Sequence, residues 1–143
     1  MTPQQSAIFL PCAAMVAVTA AVWVRLYVER IGEMRQRRIP PQALSTSGKA
    51  AAILHRINAA DNFRNLFEVP VLFYALCVSL FALQAVTPLL LAGAWAYVAL
   101  RALHSFIHCT YNNVGHRFTV YVLSTLLLFA MWGVLAARVL AAS

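Results

Sequence analysis

Four long apolar segments, separated by polar stretches, are the feature that most limits how this chain can fold. They run from about Ala7 to Val28, Val69 to Leu83, Pro88 to Cys109 and Phe118 to Leu140. About 20 apolar residues are enough for a helix to cross a bilayer. Because 62% of the chain is hydrophobic and only 10% is charged, it has too few charges to cover the surface of a soluble domain. The sequence therefore predicts an all-α, integral membrane four-helix bundle.

The predicted helices occupy about residues 6–29, 48–84, 88–111 and 117–141, within a single domain that spans residues 1–143. The first helix is expected to be retained, because no basic region precedes it and its apolar stretch is longer than that of a signal peptide. Between the first two helices, Pro40-Pro41 and a Ser-Thr-Ser-Gly run indicate a loop. The second helix begins amphipathic and becomes wholly apolar from Val69.

Lysine and arginine are concentrated in alternate loops, which indicates how the bundle is oriented. The basic loops hold Arg30, Arg35, Arg37, Arg38 and Lys49 after the first segment, and Arg117 before the fourth. The N-terminal tail and the second loop hold none, and the C-terminal end holds only Arg138. Since basic loops stay on the cytoplasmic side, we expect both termini to lie outside the cytoplasm. The chain has 11 lysines and arginines against four acidic residues, a net charge of +7. Because the arginines cluster at the ends of apolar runs, as in a membrane protein, nucleic acid is not an expected partner.

Two predicted helices carry polar stripes inside the membrane, toward the basic loops. Asp61, Asn65 and Glu68 follow helical spacing on the second helix. Tyr97, Arg101, His104 and His108 do so on the third. Because an ionisable side chain in a spanning helix costs at least ~2.5 kcal/mol on insertion scales, such residues usually face the bundle interior or water.

These stripes have two interpretations. The first is internal packing, with Glu68 paired to Arg101 and asparagines bonded across helices. The second is a binding site, because Arg64, Arg101 and Arg117 outnumber Asp61 and Glu68 within the bundle. A surplus of buried positive charge favours an anionic ligand, and the planar guanidinium of arginine binds carboxylates with two hydrogen bonds.

A metal or haem site is a further alternative. His104 and His108 have the i, i+4 spacing of a ligand pair, but a lone histidine pair on a polar helix face is more often hydrogen-bonded. Cys12, Cys77 and Cys109 form no CxxC motif and are interpreted as small packing residues. We therefore predict no bound metal.

Three short motifs lie in order along the predicted helices: RNLFEVP at residues 64–70, Arg101 with His104 three residues on, and Arg117 with Tyr121 four residues on. They resemble motifs of the membrane-associated proteins in eicosanoid and glutathione metabolism, the MAPEG family. The second helix of that family carries Asn-x-x-Glu followed by proline, and residues 64–70 here read RNLFEVP. Arg-x-x-His on its third helix is similar to Arg101 and His104. Arg-x-x-x-Tyr at the start of its fourth helix is similar to Arg117 and Tyr121. Together these motifs cover residues 64–121.

The resemblance implies a homotrimer of a divergent member in a bacterial inner membrane, with glutathione as co-substrate bound near the cytoplasmic side. The implied binding residues are Arg64, Asn65, Glu68, Arg101, His104 and His108. Arg64 and Arg101 would bind carboxylates, with Asn65 and Glu68 orienting them and receiving the amine. Arg117 and Tyr121 would be catalytic, by stabilising the thiolate. The other substrate would be a hydrophobic small molecule or lipid, consumed by conjugation or by peroxide reduction.

Four departures from the family pattern keep a second function open. Asp61 stands where the family usually has arginine, His108 where a tyrosine is expected, and Phe118 where one branch has a serine implicated in thiol activation. The proline also follows Glu68 sooner than usual. The alternative function is a non-catalytic lipid-binding or accessory subunit of a larger membrane complex.

Overall fold

The computed structural model describes residues 3–142 and is all-α over that range. The two N-terminal residues and Ser143 of the predicted domain lie outside the described residues. The α-helices are α1 (Pro3–Ser6), α2 (Phe9–Arg37), α3 (Ser47–Ile53), α4 (Asn58–Asn65), α5 (Pro70–Ala82), α6 (Pro88–Cys109) and α7 (Val114–Ala142). A 3₁₀ helix, Pro41–Leu44, lies between α2 and α3.

Four helical stretches are long and apolar enough to cross a membrane: Phe9–Arg37, Asn58–Ala82, Pro88–Cys109 and Val114–Ala141. At 1.5 Å per residue, the 22 residues of α6 extend for about 33 Å, close to the thickness of the hydrocarbon core. Large apolar side chains are exposed along these helices, including Leu89 and Leu126. The expectation of an all-α membrane protein with four apolar helices is confirmed.

Local chemistry explains where the helices begin and end. Helix α2 ends at Arg37 because Arg38 is left-handed, with φ of 53°, and its amide turns back to the carbonyls of the last turn. Helix α6 begins at Pro88, which needs no amide partner, while the Thr87 hydroxyl accepts a hydrogen bond from the Leu90 amide at 3.3 Å. The α5–α6 hairpin turns at Gln84, which is also left-handed.

The region predicted as one helix over 48–84 is divided into three. The first interruption is at residues 54–57, where Leu54 is extended. A buried carboxylate holds this segment, since Glu33 accepts hydrogen bonds from the backbone amides of His55 at 2.9 Å and Arg56 at 3.0 Å. Arg37 further fixes the segment to α2, because it donates to Glu33 at 2.6 Å and to the Ile53 carbonyl at 2.7 Å.

The second interruption, at residues 66–69, follows from Pro70. Proline lacks an amide hydrogen, so the Leu66 carbonyl loses its helical donor four residues on, although Val69 itself keeps helical backbone angles. The chain therefore tightens, with the amides of Phe67 and Glu68 donating to the carbonyls three residues earlier, at 3.0 and 3.3 Å. This turn places Asn65 as the last residue of α4 and Glu68 just beyond it.

Helix α6 lies at the centre of the bundle, against α2, α4 and α7. Its inner face buries Leu90, Ala94 and Tyr97, and the Tyr97 ring stacks on Phe73 of α5 with 4.6 Å between ring centroids. Gly93 permits close approach of α7, because a Cβ atom there would lie 3.1 Å from the Met131 sulfur. Apolar packing thus fills the bundle from its middle to the α5–α6 hairpin.

Candidate functional site

A polar cleft of about 330 Å³ opens where α6 ends and α7 begins. Its lining is Asp61, Arg64, Asn65, Glu68, His104, His108, Val114, Arg117, Phe118 and Tyr121. All the site residues predicted from sequence line it except Arg101, which lies behind the wall and is 0% exposed. The volume lies within the ~300–1,000 Å³ range of small-molecule pockets.

A polar relay connects three helices across the back of the cleft. Arg101 of α6 donates through Nη2 to the side-chain oxygen of Asn65, and the Asn65 amide donates to Glu68 Oε2 at 2.9 Å. On its other side the Arg101 guanidinium lies over the ring of Tyr121 in α7, 5.7 Å from the centroid. A direct Glu68–Arg101 ion pair is not formed, because Asn65 lies between the two charges.

Arg101 is an unusually buried cation. Among residues 3–142 no carboxylate oxygen lies within 4.0 Å of it, and its Nε and Nη1 atoms have no hydrogen-bond partner. Since a buried charge is costly without compensation, Asn65 and the face of Tyr121 are its main stabilising contacts. Arg101 thereby fixes the positions of two residues that line the cleft.

The two histidines are held at the inner end of the cleft. His104 Nδ1 lies 3.2 Å from the carbonyl oxygen of Arg117. Because a carbonyl can only accept, Nδ1 must carry the hydrogen, which leaves His104 Nε2 as an acceptor. His108 packs edge-on against His104 with 5.6 Å between centroids. Both His104 Nε2 and His108 Nδ1 are buried and have no partner among the described residues.

Arg117 lies in the first turn of α7, and its guanidinium is positioned from the preceding turn. Its Nη1 donates to the side-chain oxygen of Asn112 at 2.8 Å, and the Asn112 amide donates to Asn58 of α4 at 3.0 Å. Asn113 caps α7 by accepting from the His116 amide at 3.1 Å. Sequence reasoning identified Arg117 but missed its asparagine supports; the Asn-Asn pair in a turn was the available signal.

The mouth of the cleft carries the more exposed charges. Arg64 and Asp61 approach to 3.7 Å, with side chains 66% and 46% exposed, so this pair is loosely held and solvated. Glu68 and Phe118 are also exposed. With Arg117 and the buried Arg101, three arginines stand against two carboxylates. Within the lining itself two arginines face two carboxylates, so the surplus expected from the sequence depends on Arg101 behind the wall.

A second polar contact between helices was missed by sequence reasoning altogether. Asn62 of α4 is 0% exposed, and its side-chain amide donates to the Cys109 sulfur at 3.4 Å. The Ser105 hydroxyl donates to the side-chain oxygen of Asn62 at 3.4 Å. All three cysteines are free thiols. Within residues 3–142, no group of three or more histidine, cysteine or acidic side chains could hold a metal ion.

An apolar groove of about 460 Å³ lies between α2 and the α4–α5 region. It is lined by Val16, Thr19, Ala20, Trp23, Phe63, Leu66, Phe67 and Tyr74. Phe67 belongs to the same tight turn as Glu68, so the turn before Pro70 contributes to both the groove and the polar cleft.

Comparison with known protein families identifies the family of the chain. The family model for the MAPEG family matches residues 8–137, which is nearly the whole chain. No match is found among curated proteins or among solved structures.

Proposed function

The chain belongs to the MAPEG family, and we propose that it is a membrane-embedded, glutathione-dependent transferase or peroxidase acting on a hydrophobic substrate. The observation that carries the proposal is the polar cleft, where Arg64 and Arg117 face a cavity at one end of an apolar bundle. Glutathione carries two carboxylates, one ammonium group and a thiol. The lining offers Arg64 for a carboxylate, Glu68 for the ammonium group and Arg117 for the thiolate.

Binding in the cleft would use its two exposed sides. Arg64 is free to turn from Asp61 toward a carboxylate of glutathione, because their contact is only a loose one at 3.7 Å. Glu68 is exposed and accepts from Asn65, so its remaining lone pairs can receive the ammonium group. Arg101 lacks access to the cleft, and we assign it to positioning Asn65 and Tyr121 rather than to carboxylate binding.

The thiol would lie toward α7. Arg117 presents a cation within the first turn of that helix, where the helix dipole also favours an anion. The Tyr121 hydroxyl, one turn further on, is a donor for a thiolate. Both effects stabilise the deprotonated sulfur, which is the nucleophile. His104 and His108 hold this wall through the Arg117 carbonyl and their mutual ring contact.

Two reactions start from the same thiolate. In conjugation the sulfur attacks an electrophilic carbon, a C–S bond forms and the leaving group departs. In peroxide reduction the sulfur attacks one oxygen of the O–O bond, which gives a sulfenic acid and an alkoxide that leaves as the alcohol after taking a proton. The thiol of a second glutathione then attacks the sulfenic sulfur, which gives the disulfide and releases water. The second substrate would reach the sulfur from the lipid side, past Phe118, whose exposed ring borders the cleft.

We further propose a homotrimer with both termini outside the cytoplasm. The basic loop after α2 and the turn before α7 lie at the same end of the bundle as the cleft, and basic loops favour the cytoplasmic side. The exposed mouth formed by Glu68 and Phe118 leaves room for a neighbouring protomer to complete the site.

A second candidate is a non-catalytic subunit that binds a lipid. The observation that favours it is Phe118, an apolar side chain at the cleft beside Arg117, where a hydroxyl would assist thiol chemistry. Such a protein would bind an amphipathic anion in the cleft without forming a thiolate.

Ultraviolet thiolate absorbance of protein saturated with glutathione tests the catalytic proposal. We expect a thiolate at neutral pH in the wild type, and a higher pH midpoint of thiolate formation in Arg117→Ala, because its positive charge is lost. Arg138→Ala is the matched control, since Arg138 lies near the opposite end of α7 and contacts the Ala85 carbonyl. If saturated wild-type protein forms no thiolate, the non-catalytic function is favoured instead.

A further inference from the structure

A separate small cavity of about 50 Å³ lies beyond the polar cleft, between the C-terminal part of α2 and the α3–α4 region. Its lining is Leu26, Arg30, Ser47, Ala50, Ala51, Leu54, Arg56, Ile57, Ala60, Asp61 and Arg64. Since a single water needs roughly 10–15 Å³ of such space, the cavity has room for a group of about four water volumes. A phosphate group is of that size, whereas glutathione is far larger.

The polar part of this lining is strongly cationic. Arg30, Arg56 and Arg64 come from three different segments of the chain, and Asp61 is the one carboxylate among the lining residues. The formal surplus is therefore two positive charges. Among the described residues, neither Arg30 nor Arg56 has a carboxylate within 4.0 Å. Arg64 pairs loosely with Asp61, whereas Arg30 and Arg56 line the cavity without an acidic partner. A guanidinium group can donate two hydrogen bonds to a phosphate, so these two arginines favour a phosphate ligand.

The cavity is held in shape by the buried carboxylate of Glu33. That carboxylate is one turn beyond Arg30 on α2 and accepts from the amides of His55 and Arg56. It thereby fixes the backbone of Arg56 beside Arg30, before any ligand binds. The remaining walls are aliphatic, from Leu26, Leu54 and their neighbours.

The depth of the cavity indicates where the phosphate comes from. Trp23 and Tyr27 are exposed on α2, with 4.9 Å between their ring centroids. Exposed Trp and Tyr mark the level at which a spanning helix leaves the hydrocarbon core for the headgroups. Arg30 follows Tyr27 by three residues, or about 4.5 Å along the helix. The arginines therefore lie at the level of lipid phosphates.

We propose that this cavity binds the phosphate of an anionic phospholipid from the adjacent leaflet. Arg30 and Arg56 donate to the phosphate oxygens, and the acyl chains run along the apolar surface of α2. Asp61 and Arg64 form the wall between this cavity and the polar cleft, since they line both. Lipid binding here does not depend on any catalytic activity of the protein.

Native mass spectrometry of detergent-purified protein, with added phosphatidylglycerol or phosphatidylcholine, tests the proposal. We expect one tightly retained phosphatidylglycerol per protomer. Arg30→Ala and Arg56→Ala should each weaken its retention about tenfold, the effect of losing one charge-assisted contact. Arg35→Ala is the matched control: it removes the same charge from the exposed end of α2, outside the cavity lining, and should retain lipid as the wild type does.

Three results would overturn the proposal. The first is equal retention of phosphatidylglycerol by Arg56→Ala and wild type, given that melting temperatures show both folded. The second is equal retention of zwitterionic phosphatidylcholine, which would remove the selectivity for an anionic lipid. The third is thermal stabilisation by inorganic phosphate alone, in an arginine-dependent manner and without lipid binding, which would assign the cavity to a soluble phosphate compound.

Discussion

Replacing Asn65 by alanine tests how the buried Arg101 is held inside the bundle. Arg101 Nη2 donates to the Asn65 side chain, and the Nε and Nη1 atoms have no partner within residues 3–142. Asn65→Ala therefore removes the one side-chain acceptor of a cation that is 0% exposed. The same change also releases Glu68 from its contact with Asn65.

The size of the effect follows from two limits. A hydrogen bond to a charged group contributes about 1.5–3 kcal/mol, and removing the partner of a buried charge can cost about 3–5 kcal/mol. Arg101 keeps its contact with the Tyr121 ring, and Asn65 is only half-buried, so water can partly replace the lost amide. We expect Asn65→Ala to lower the free energy of unfolding by about 2–3 kcal/mol.

A double-mutant cycle with Arg101→Met isolates this interaction. Methionine fills the space of the arginine stem without the charge, so Asn65→Ala should cost little in its presence. Measured by equilibrium unfolding in mixed detergent micelles, the coupling between the two sites should be about 1.5–3 kcal/mol. The control is Asn58→Ala, which lies on α4 as Asn65 does and breaks the contact of Asn58 with Asn112. It should show no coupling to Arg101→Met. A coupling below about 0.5 kcal/mol for Asn65 would refute the relay.

Four further predictions follow from the fold and the cleft. Glu68→Gln should change the free energy of unfolding by less than about 0.5 kcal/mol, because Glu68 is exposed and the glutamine side chain can still accept from Asn65. A large loss of stability in the same detergent unfolding assay would mean that Glu68 is buried in the native assembly. Glu33→Gln should lower the free energy of unfolding by about 2–4 kcal/mol and speed hydrogen exchange at the His55 and Arg56 amides, because the neutral side chain is a weaker acceptor for them. Unchanged protection of these two amides would contradict the role of Glu33 as their anchor. Cysteine labelling at position 48 should occur from the cytoplasmic side and labelling at position 84 from the opposite side, and the reverse pattern would overturn the proposed orientation. Native mass spectrometry in mild detergent should give a trimer, and monomer alone would argue against a site completed by a neighbouring protomer.

The parts of the fold that depend on composition were predictable from the sequence. Long apolar runs indicated spanning helices, and three motif fragments indicated which polar residues share one end of the bundle. Asn65, His104 and Arg117 do line one cleft. Helical periodicity reports the face on which a residue lies, and this was enough to bring the two stripes together.

The partners of these residues were not predictable in the same way. Periodicity allowed a Glu68–Arg101 pair, but the tight turn before Pro70 places Asn65 between the two charges. The division of the 48–84 region depends on Glu33, which is 22 residues away from His55 in the chain and belongs to another helix. Such contacts follow from tertiary packing, which a local pattern does not contain.

Calorimetric titration of glutathione into the purified protein tests the central claim most directly. We predict saturable binding to wild type, weakened about tenfold to a hundredfold by Arg64→Ala through loss of a charge-assisted contact to a carboxylate. Arg35→Ala removes the same charge from the same end of the bundle but outside the cleft, and it should bind as wild type does. Absence of saturable binding to wild type, or equal weakening by both substitutions, would contradict the assignment of the polar cleft to glutathione.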